Sequence, residues 1–323
     1  MSFAVWTDTS GNLPKRLTDQ HQIGVLPFTF IEDGREYHCM DIEAFDGDAF
    51  YARMRAGKVV TTSQITPQVY LTAFEPVLRA GTDILFVSMS SGISGSCNSA
   101  RIAAKLLREQ FPAREVRVVD TRGAALGEGL IALRAAECRD RGLSLEETVR
   151  EAEALCDRMC NVFTVDDLMF LRRSGRLSNL SALVGTVLNI KPLLKGDEEG
   201  KIVAFAKLRG RRRSIEALAE KYETLAVEPE KQTVAIVHAG CGADADYLIS
   251  LLKRRFPPKN ILCVGYEPVT GSHVGPGALA LFFEGKDDVR TAVNGGSSLD
   301  KLSDLLQEVR DRAADTLQKV RKD

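Results

Sequence analysis

Ile84-Leu85-Phe86-Val87-Ser88-Met89-Ser90-Ser91-Gly92-Ile93-Ser94-Gly95-Ser96-Cys97-Asn98-Ser99 decides how the chain is read. Its first four residues are an unbroken apolar run, the pattern of a strand buried on both faces of a parallel sheet. From Ala100 to Phe111, Ile102, Leu106 and Leu107 recur at helical spacing. A strand ends, a loop of small residues turns, and a helix begins. Such a junction gathers backbone N–H groups and hydroxyls at one place, which suits a phosphate or a carboxylate. It reads equally as a well-capped turn. No Gly-Lys-Ser/Thr closes the loop, so it is not a P-loop. Gly92 and Gly95 lack the spacing of a dinucleotide site.

Upstream, Phe3 to Trp6 reads as a strand that runs into the polar segment Thr7 to Pro14. Ile23 to Phe30 reads as a second strand, with a turn at Glu32-Asp33-Gly34 and a short return strand around Tyr37. Phe45 to Arg55 is helical and stops at Gly57. Val59 to Gln64 runs from apolar to hydroxyl-rich, and Thr66-Pro67 opens the next helix with Pro at its first position. Downstream lie helix 96–111, strand 116–120 and helices 124–141 and 145–159. Gly142 ends the first of these two, and Ser144 with Glu147 at capping-box distance begins the second. This alternation predicts a parallel sheet covered on both faces, with ligands at the carboxyl ends of its strands. Asp8, Thr62, Ser94 and Asp120 fall at or just past such ends. Asp8 and Asp120 read equally as caps of the next helices in the chain.

The second half is also α/β. Strand 161–165 leads to Asp166-Asp167, which caps a short helix ending in Leu171-Arg172-Arg173-Ser174-Gly175-Arg176-Leu177-Ser178. Residues 183–188 read as a helix. Strands 190–194 and 202–207 flank a hairpin turn at 196–200. Arg209-Gly210-Arg211-Arg212-Arg213 opens a helix to about Ala226. Strand 234–237, a helix ending at Phe256, strand 261–266, the small-residue loop Glu267 to Gly277 and strand 278–283 complete the half. Its short turns predict a mixed sheet. The expected organisation is thus α/β with two domains: residues 1–160 with a parallel sheet and 161–285 with a mixed α/β sheet, the ligand lying between them. In residues 286–323, Asn294 to Ser298 reads as a hinge. Leu299, Leu302, Leu306, Val309, Ala313, Leu317 and Val320 mark an amphipathic helix that packs back on the core or self-associates.

Of the 323 residues, 44% are hydrophobic and 27% charged, which places the chain among ordinary globular proteins. A net charge of −1 gives no global attraction to nucleic acid or an acidic membrane. No apolar run approaches the ~20 residues of a membrane span, and the N-terminus lacks a signal-peptide pattern, so a cytoplasmic location is expected. The seven cysteines form no C-x-x-C pair and read as reduced, mostly buried small residues, with no metal site and no cofactor expected. The chain carries no Walker A motif, no kinase Gly-rich loop and no clear Asp pair for Mg²⁺; Asp166-Asp167 reads as a helix cap. A chain without its own catalytic machinery is the expectation. Lys207, Arg209, Arg211, Arg212 and Arg213 crowd positive charge at a helix start, where it is mildly unfavourable. Arg209, Arg211 and Arg212 are therefore candidates to meet an acidic partner or phosphates held by one. No aromatic residues interleave them, which argues against nucleic acid.

Thr7-Asp8-Thr9-Ser10, Thr61-Thr62-Ser63-Gln64, Ser90 to Ser96, Asp166-Asp167-Leu168 with Leu171 to Arg176, Asn189-Ile190-Lys191-Pro192, and Gly271-Ser272-His273-Val274-Gly275-Pro276-Gly277-Ala278-Leu279 resemble, in order, the signature segments of the DegV family. The resemblance covers residues 1 to about 285. It implies a long-chain fatty acid, such as palmitate or oleate, buried between the domains. It also implies a separate ATP-dependent fatty acid kinase that converts the presented carboxylate to acyl-phosphate. Carried over residue by residue, it puts the carboxylate on Thr62, Ser94 and His273. Arg172 and Arg173 are both candidates for the nearby basic residue, and Thr61, Ser91 and Gly95 are supporting positions. Asp-Thr-Ser at 8–10 stands where Asp-Ser-Thr is commoner, and residues 286–323 extend past the family's usual end. Apart from the family, His273 reads as a turn histidine or as a donor to an oxyanion. The alternatives are a dihydroxyacetone-like phosphotransfer protein and a nucleotide-binding regulatory module.

Overall fold

A computed structural model of the chain describes residues 3–178, 189–286 and 290. The expected helix at 183–188, the hinge at 294–298 and the tail helix with its self-association lie outside the described residues.

In chain order the first elements are β1 (Phe3–Asp8), α1 (Lys15–Gln20), β2 (Ile23–Leu26), β3 (Thr29–Glu32), β4 (Arg35–Tyr37), α2 (Gly47–Arg55), β5 (Val60–Ser63), α3 (Pro67–Arg79) and β6 (Asp83–Ser88). Then come α4 (Ser96–Gln110), β7 (Val116–Asp120), α5 (Leu126–Asp140) and α6 (Leu145–Arg158). The second half holds β8 (Met159–Thr164), α7 (Met169–Arg173), β9 (Ile190–Gly196), β10 (Ile202–Arg209), α8 (Arg211–Leu225), β11 (Thr233–His238), α9 (Gly242–Arg255), β12 (Asn260–Gly265), α10 (Pro268–Val274) and β13 (Leu279–Glu284).

Among the described residues the strands form three sheets. The first runs β2-β1-β6-β7 and is parallel throughout. Ile84 to Val87 of β6 are fully buried, as a central strand covered on both faces must be. The second runs β10-β9-β8-β13-β11-β12; only β11 and β12 pair in parallel, so it is mixed, as the short turns predict. The third, β4-β3-β5, is a small antiparallel sheet. Here the structure corrects the reading of 23–30 as one strand. Pro27, which has no N–H to give a ladder, separates β2 in the parallel sheet from β3 in the small one.

A single apolar core joins the halves. Val5, Phe86 and Leu126 belong to the same buried cluster as Phe163, Leu194, Val237 and Phe282. Residues Met1–Arg290 form one compact unit, and residue 160 falls within β8 of the mixed sheet. Ser144 caps α6 with the reciprocal Glu147 bond expected of a capping box. Five of the seven cysteines are buried, Cys241 is half-buried and Cys263 is exposed; all are free thiols.

Candidate functional site

Thr62 sits in β5 opposite Phe30 of β3. Strand alternation turns its side chain inward and that of its neighbour Thr61 outward, where Thr61 is exposed. The Thr62 hydroxyl lies 2.9 Å from Nε2 of His273. His273 stands in the last turn of α10, where the sequence suggests only a loop. The helix forms because Glu267 caps it and Pro268 occupies its first position. The buried Glu267 carboxylate accepts the Val269 N–H at 2.7 Å and also that of Thr270.

Residues of the first half hold this helix in place. Asn12, in left-handed conformation at φ 56°, accepts the Glu267 N–H at 2.7 Å and donates its amide to the Gly265 carbonyl at 2.7 Å. The Tyr51 hydroxyl donates to the Tyr266 carbonyl at 2.8 Å. The same hydroxyl would lie 1.9 Å from a Cβ at Gly271, so only glycine fits there.

Ser94 comes from the loop between β6 and α4. Its hydroxyl accepts the Ser96 N–H at 3.2 Å and contacts the Ser96 hydroxyl at 3.1 Å, and Ser96 in turn accepts the Ile65 N–H at 3.1 Å. The β6 loop and the end of β5 are thereby tied together, which brings Ser94 and Thr62 to one cavity.

That cavity has a volume of about 320 Å³. Thr62, Ser63, Gln64, Ser94, Gly95, Arg176 and His273 supply polar lining. Phe28, Met89, Ile93, Phe163, Val274 and Phe282 are among its apolar walls. Burial, with the Arg176 charge beside it, brings the His273 imidazole down to about 4. It is therefore neutral near pH 7, and the positive charge beside it is that of Arg176.

The expected arginines need correction. Arg172 and Arg173 are exposed and do not line the cavity; Arg173 lies over the Phe170 ring, 5.0 Å from its centre. α7 buries Leu171, so its two neighbours point outward. Gly175, at φ 71°, then reverses the chain and returns Arg176 to the cavity, with the Arg176 N–H donating to the Leu171 carbonyl. Ser91 is exposed and outside the lining; its N–H donates to Asp120 at 3.1 Å. Gly95 lines the cavity. Arg211 is not free to face a partner, because its guanidinium is 2.8 Å from Asp244 and 3.7 Å from Asp166. Arg209 and Arg212 are exposed.

Asp8 ends β1 and caps the 3-10 turn Thr9–Gly11, while Asp120 ends β7 and accepts N–H groups of the neighbouring loops. Asp120 also accepts the Arg122 N–H at 3.1 Å. Asp8 accepts the Ser10 N–H at 2.9 Å in a buried cluster with Glu128. The Ser10 hydroxyl approaches both carboxyls, at 2.5 Å from Asp8 and 2.7 Å from Glu128, and Thr7 donates to Glu128 at 2.9 Å. One hydroxyl proton cannot serve two carboxylates, so a further proton belongs to the pair. Burial pushes both groups up, Asp8 to about 6. Cues for Arg176 and Asn12 existed in the sequence, in the Gly that precedes Arg176 and in the turn chemistry of Asn, but neither gives a direction in space. No helix among the described residues is long and apolar enough to cross a membrane.

A parallel sheet and a mixed sheet sharing one core, with a cavity lined by both polar and apolar side chains, define an α/β protein with one site drawn from both halves of the chain. The chain belongs to the DegV family, whose model, described as one of uncharacterised proteins, matches residues 2–286. A DegV domain-containing protein of Clostridium perfringens is 37% identical over 287 residues, 88% of this chain and 97% of the relative. Among solved structures, a fatty-acid-binding DegV family protein of Thermus thermophilus is 29% identical with a TM-score of 0.80, over 88% of this chain and all of that one. A fatty-acid-binding DegV family protein of Streptococcus agalactiae is 27% identical with a TM-score of 0.78, over 88% of this chain and 99% of that one.

Proposed function

We propose that this chain binds a long-chain fatty acid, with its carboxylate at Thr62, Ser94, His273 and Arg176 and its acyl chain along the apolar walls. The bound acid is presented to a separate ATP-dependent fatty acid kinase that makes acyl-phosphate. The observation that carries the reading is the cavity itself: a hydroxyl–imidazole pair with an adjacent guanidinium, opening onto aliphatic and aromatic walls. A carboxylate is best served by charge-assisted donors, and its hydrocarbon chain by a dry apolar space. A chain of ~14 methylenes at roughly 0.8 kcal/mol each offers about 11 kcal/mol gross before the costs of binding. Binding of fatty acid by the Thermus and Streptococcus relatives supports the same ligand class. The kinase rests on the family resemblance and on Arg209 and Arg212, which are exposed where a partner can reach them.

The test is thermal melting of the delipidated chain with oleate, dihydroxyacetone or ATP. Oleate at about a hundred times its Kd should stabilise by roughly 2.7 kcal/mol, while the other two leave the transition in place. A shift with ATP or dihydroxyacetone and none with oleate overturns the proposal.

A further inference from the structure

We infer that Gln64 is a further binding residue for the ligand head group: its side-chain amide, seated on Gly95, is one more donor to the carboxylate at Thr62 and Ser94. The inference rests on the fatty-acid reading above and adds a contact to it. Gln64 follows directly on β5, two residues past Thr62. Alternation along extended backbone carries its side chain to the same side as that of Thr62, and both residues line the cavity.

Gly95, the neighbour of Ser94, locates the far end of that side chain. A Cβ on Gly95 would lie 2.0 Å from Oε1, 3.1 Å from Cδ and 3.5 Å from Nε2 of Gln64. The carboxamide thus fills the space that any larger residue at 95 would claim. Gly95 has φ −73° and ψ −7°, a backbone open to every residue, so what glycine supplies here is room and not conformational freedom. One residue further along each segment, the Ser96 hydroxyl accepts the Ile65 N–H at 3.1 Å. That bond pins the two segments together and fixes the gap that Gln64 crosses.

The amide is also uncommitted. Thr62 is paired with His273 at 2.9 Å, and Ser94 with Ser96 at 3.1 Å. Among the described residues the Gln64 carboxamide makes no hydrogen bond, so both of its N–H donors are left for a ligand or for water.

Among the described residues the exposed part of the cavity lining is Ser63, Gln64 and Gly95, the chain neighbours of Thr62 and Ser94. Phe28, Met89, Phe163 and Phe282 of the same lining are buried. The cavity therefore meets solvent beside the two hydroxyls, where a carboxylate keeps part of its hydration. A neutral amide at that edge adds a donor without adding a second charge to that of Arg176.

The experiment is a mutant cycle on the full-length chain: Gln64→Ala, Gly95→Ala and the two combined, with Gln64→Asn beside them. Affinities for oleate and for oleyl alcohol, which share a hydrocarbon chain and differ in the carboxylate, are read by displacement of the fluorescent acid cis-parinarate. Gln64→Ala should weaken oleate roughly fivefold to tenfold, the worth of one donor at an exposed edge, and change oleyl alcohol by less than about twofold. Gly95→Ala puts a methyl where the carboxamide rests, so it should weaken oleate to the same degree, and the combined variant should be no weaker than either. Gln64→Asn keeps the amide but is too short to rest on Gly95; it should lose as much as the alanine variant, and it carries the test if Gly95→Ala does not fold. Unchanged oleate affinity in Gln64→Ala, equal losses for oleate and oleyl alcohol, or additive losses in the combined variant would each overturn the inference while leaving the fatty-acid reading in place. An unaltered chain that binds no oleate overturns that reading and this inference with it.

Discussion

Thr62 and His273 stand 211 residues apart in sequence and 2.9 Å apart in space. Each is worth about one charge-assisted hydrogen bond to a carboxylate, ~1.5–3 kcal/mol. Thr62→Val and His273→Ala should each weaken oleate binding by roughly 10- to 100-fold, with little change in the melting temperature; calorimetric titration beside a thermal scan measures both. Arg176→Ala should cost more than Arg172→Ala, because Arg176 lines the cavity and Arg172 does not; equal losses would refute the assignment. The His273 imidazole, held down to about 4 in the free protein by burial and Arg176, should titrate higher once a carboxylate lies beside it, an upward move that NMR can follow. From the sequence, Thr62 and Ser94 could be set near the ends of strands, whereas His273 was singled out by the family resemblance; all three line the one cavity. The choice among Arg172, Arg173 and Arg176 was not legible, since it depends on the reversal at Gly175 and on which side of α7 meets the core.

At the scale of elements, the site depends on how α10 is held. Asn12 alone satisfies two backbone groups at its entrance. Asn12→Ala leaves both without that partner and should destabilise the protein by about 1–3 kcal/mol in urea unfolding, with weaker oleate binding as His273 loses its fixed place. Unchanged stability would mean that α10 is anchored elsewhere. The alternation of strands and helices was readable because buried parallel strands are apolar runs and their helices keep a 3.6-residue period. α10 was obscured by Gly271, Ser272 and Gly275, which speak for a loop, although Glu267-Pro268 is a helix start. Pro27 likewise splits an apolar run that looks like one strand.

For the whole molecule, burial raises three carboxyls, Asp8 to about 6, Glu267 to about 7, and Glu128 in the same direction. Unfolded carboxyls titrate near ~4, so between about pH 4 and 7 the folded state holds more protons than the unfolded one, and their contribution to stability falls as pH rises. The buried His273 and His238, shifted down, act in the opposite sense. Comparison with Glu267→Gln isolates one carboxyl: between pH 5 and 7 the variant's stability should fall less steeply than the original's, by on the order of 1 kcal/mol per pH unit, and parallel curves would refute the assignment. Fold class was legible from local pattern, and a ligand between the two halves was expected from it, but the residues that line the cavity were not readable. Its lining draws Phe28, Ile93, Phe163 and Phe282 from distant segments, and only their packing shows which apolar residues leave space. The most direct test of the central claim is mass spectrometry of the purified chain, first under native conditions and then after mild denaturation. The expected result is one long-chain acyl group per chain, released on unfolding and replaceable by added palmitate or oleate. A chain that carries no acyl group and takes up neither acid would contradict the claim.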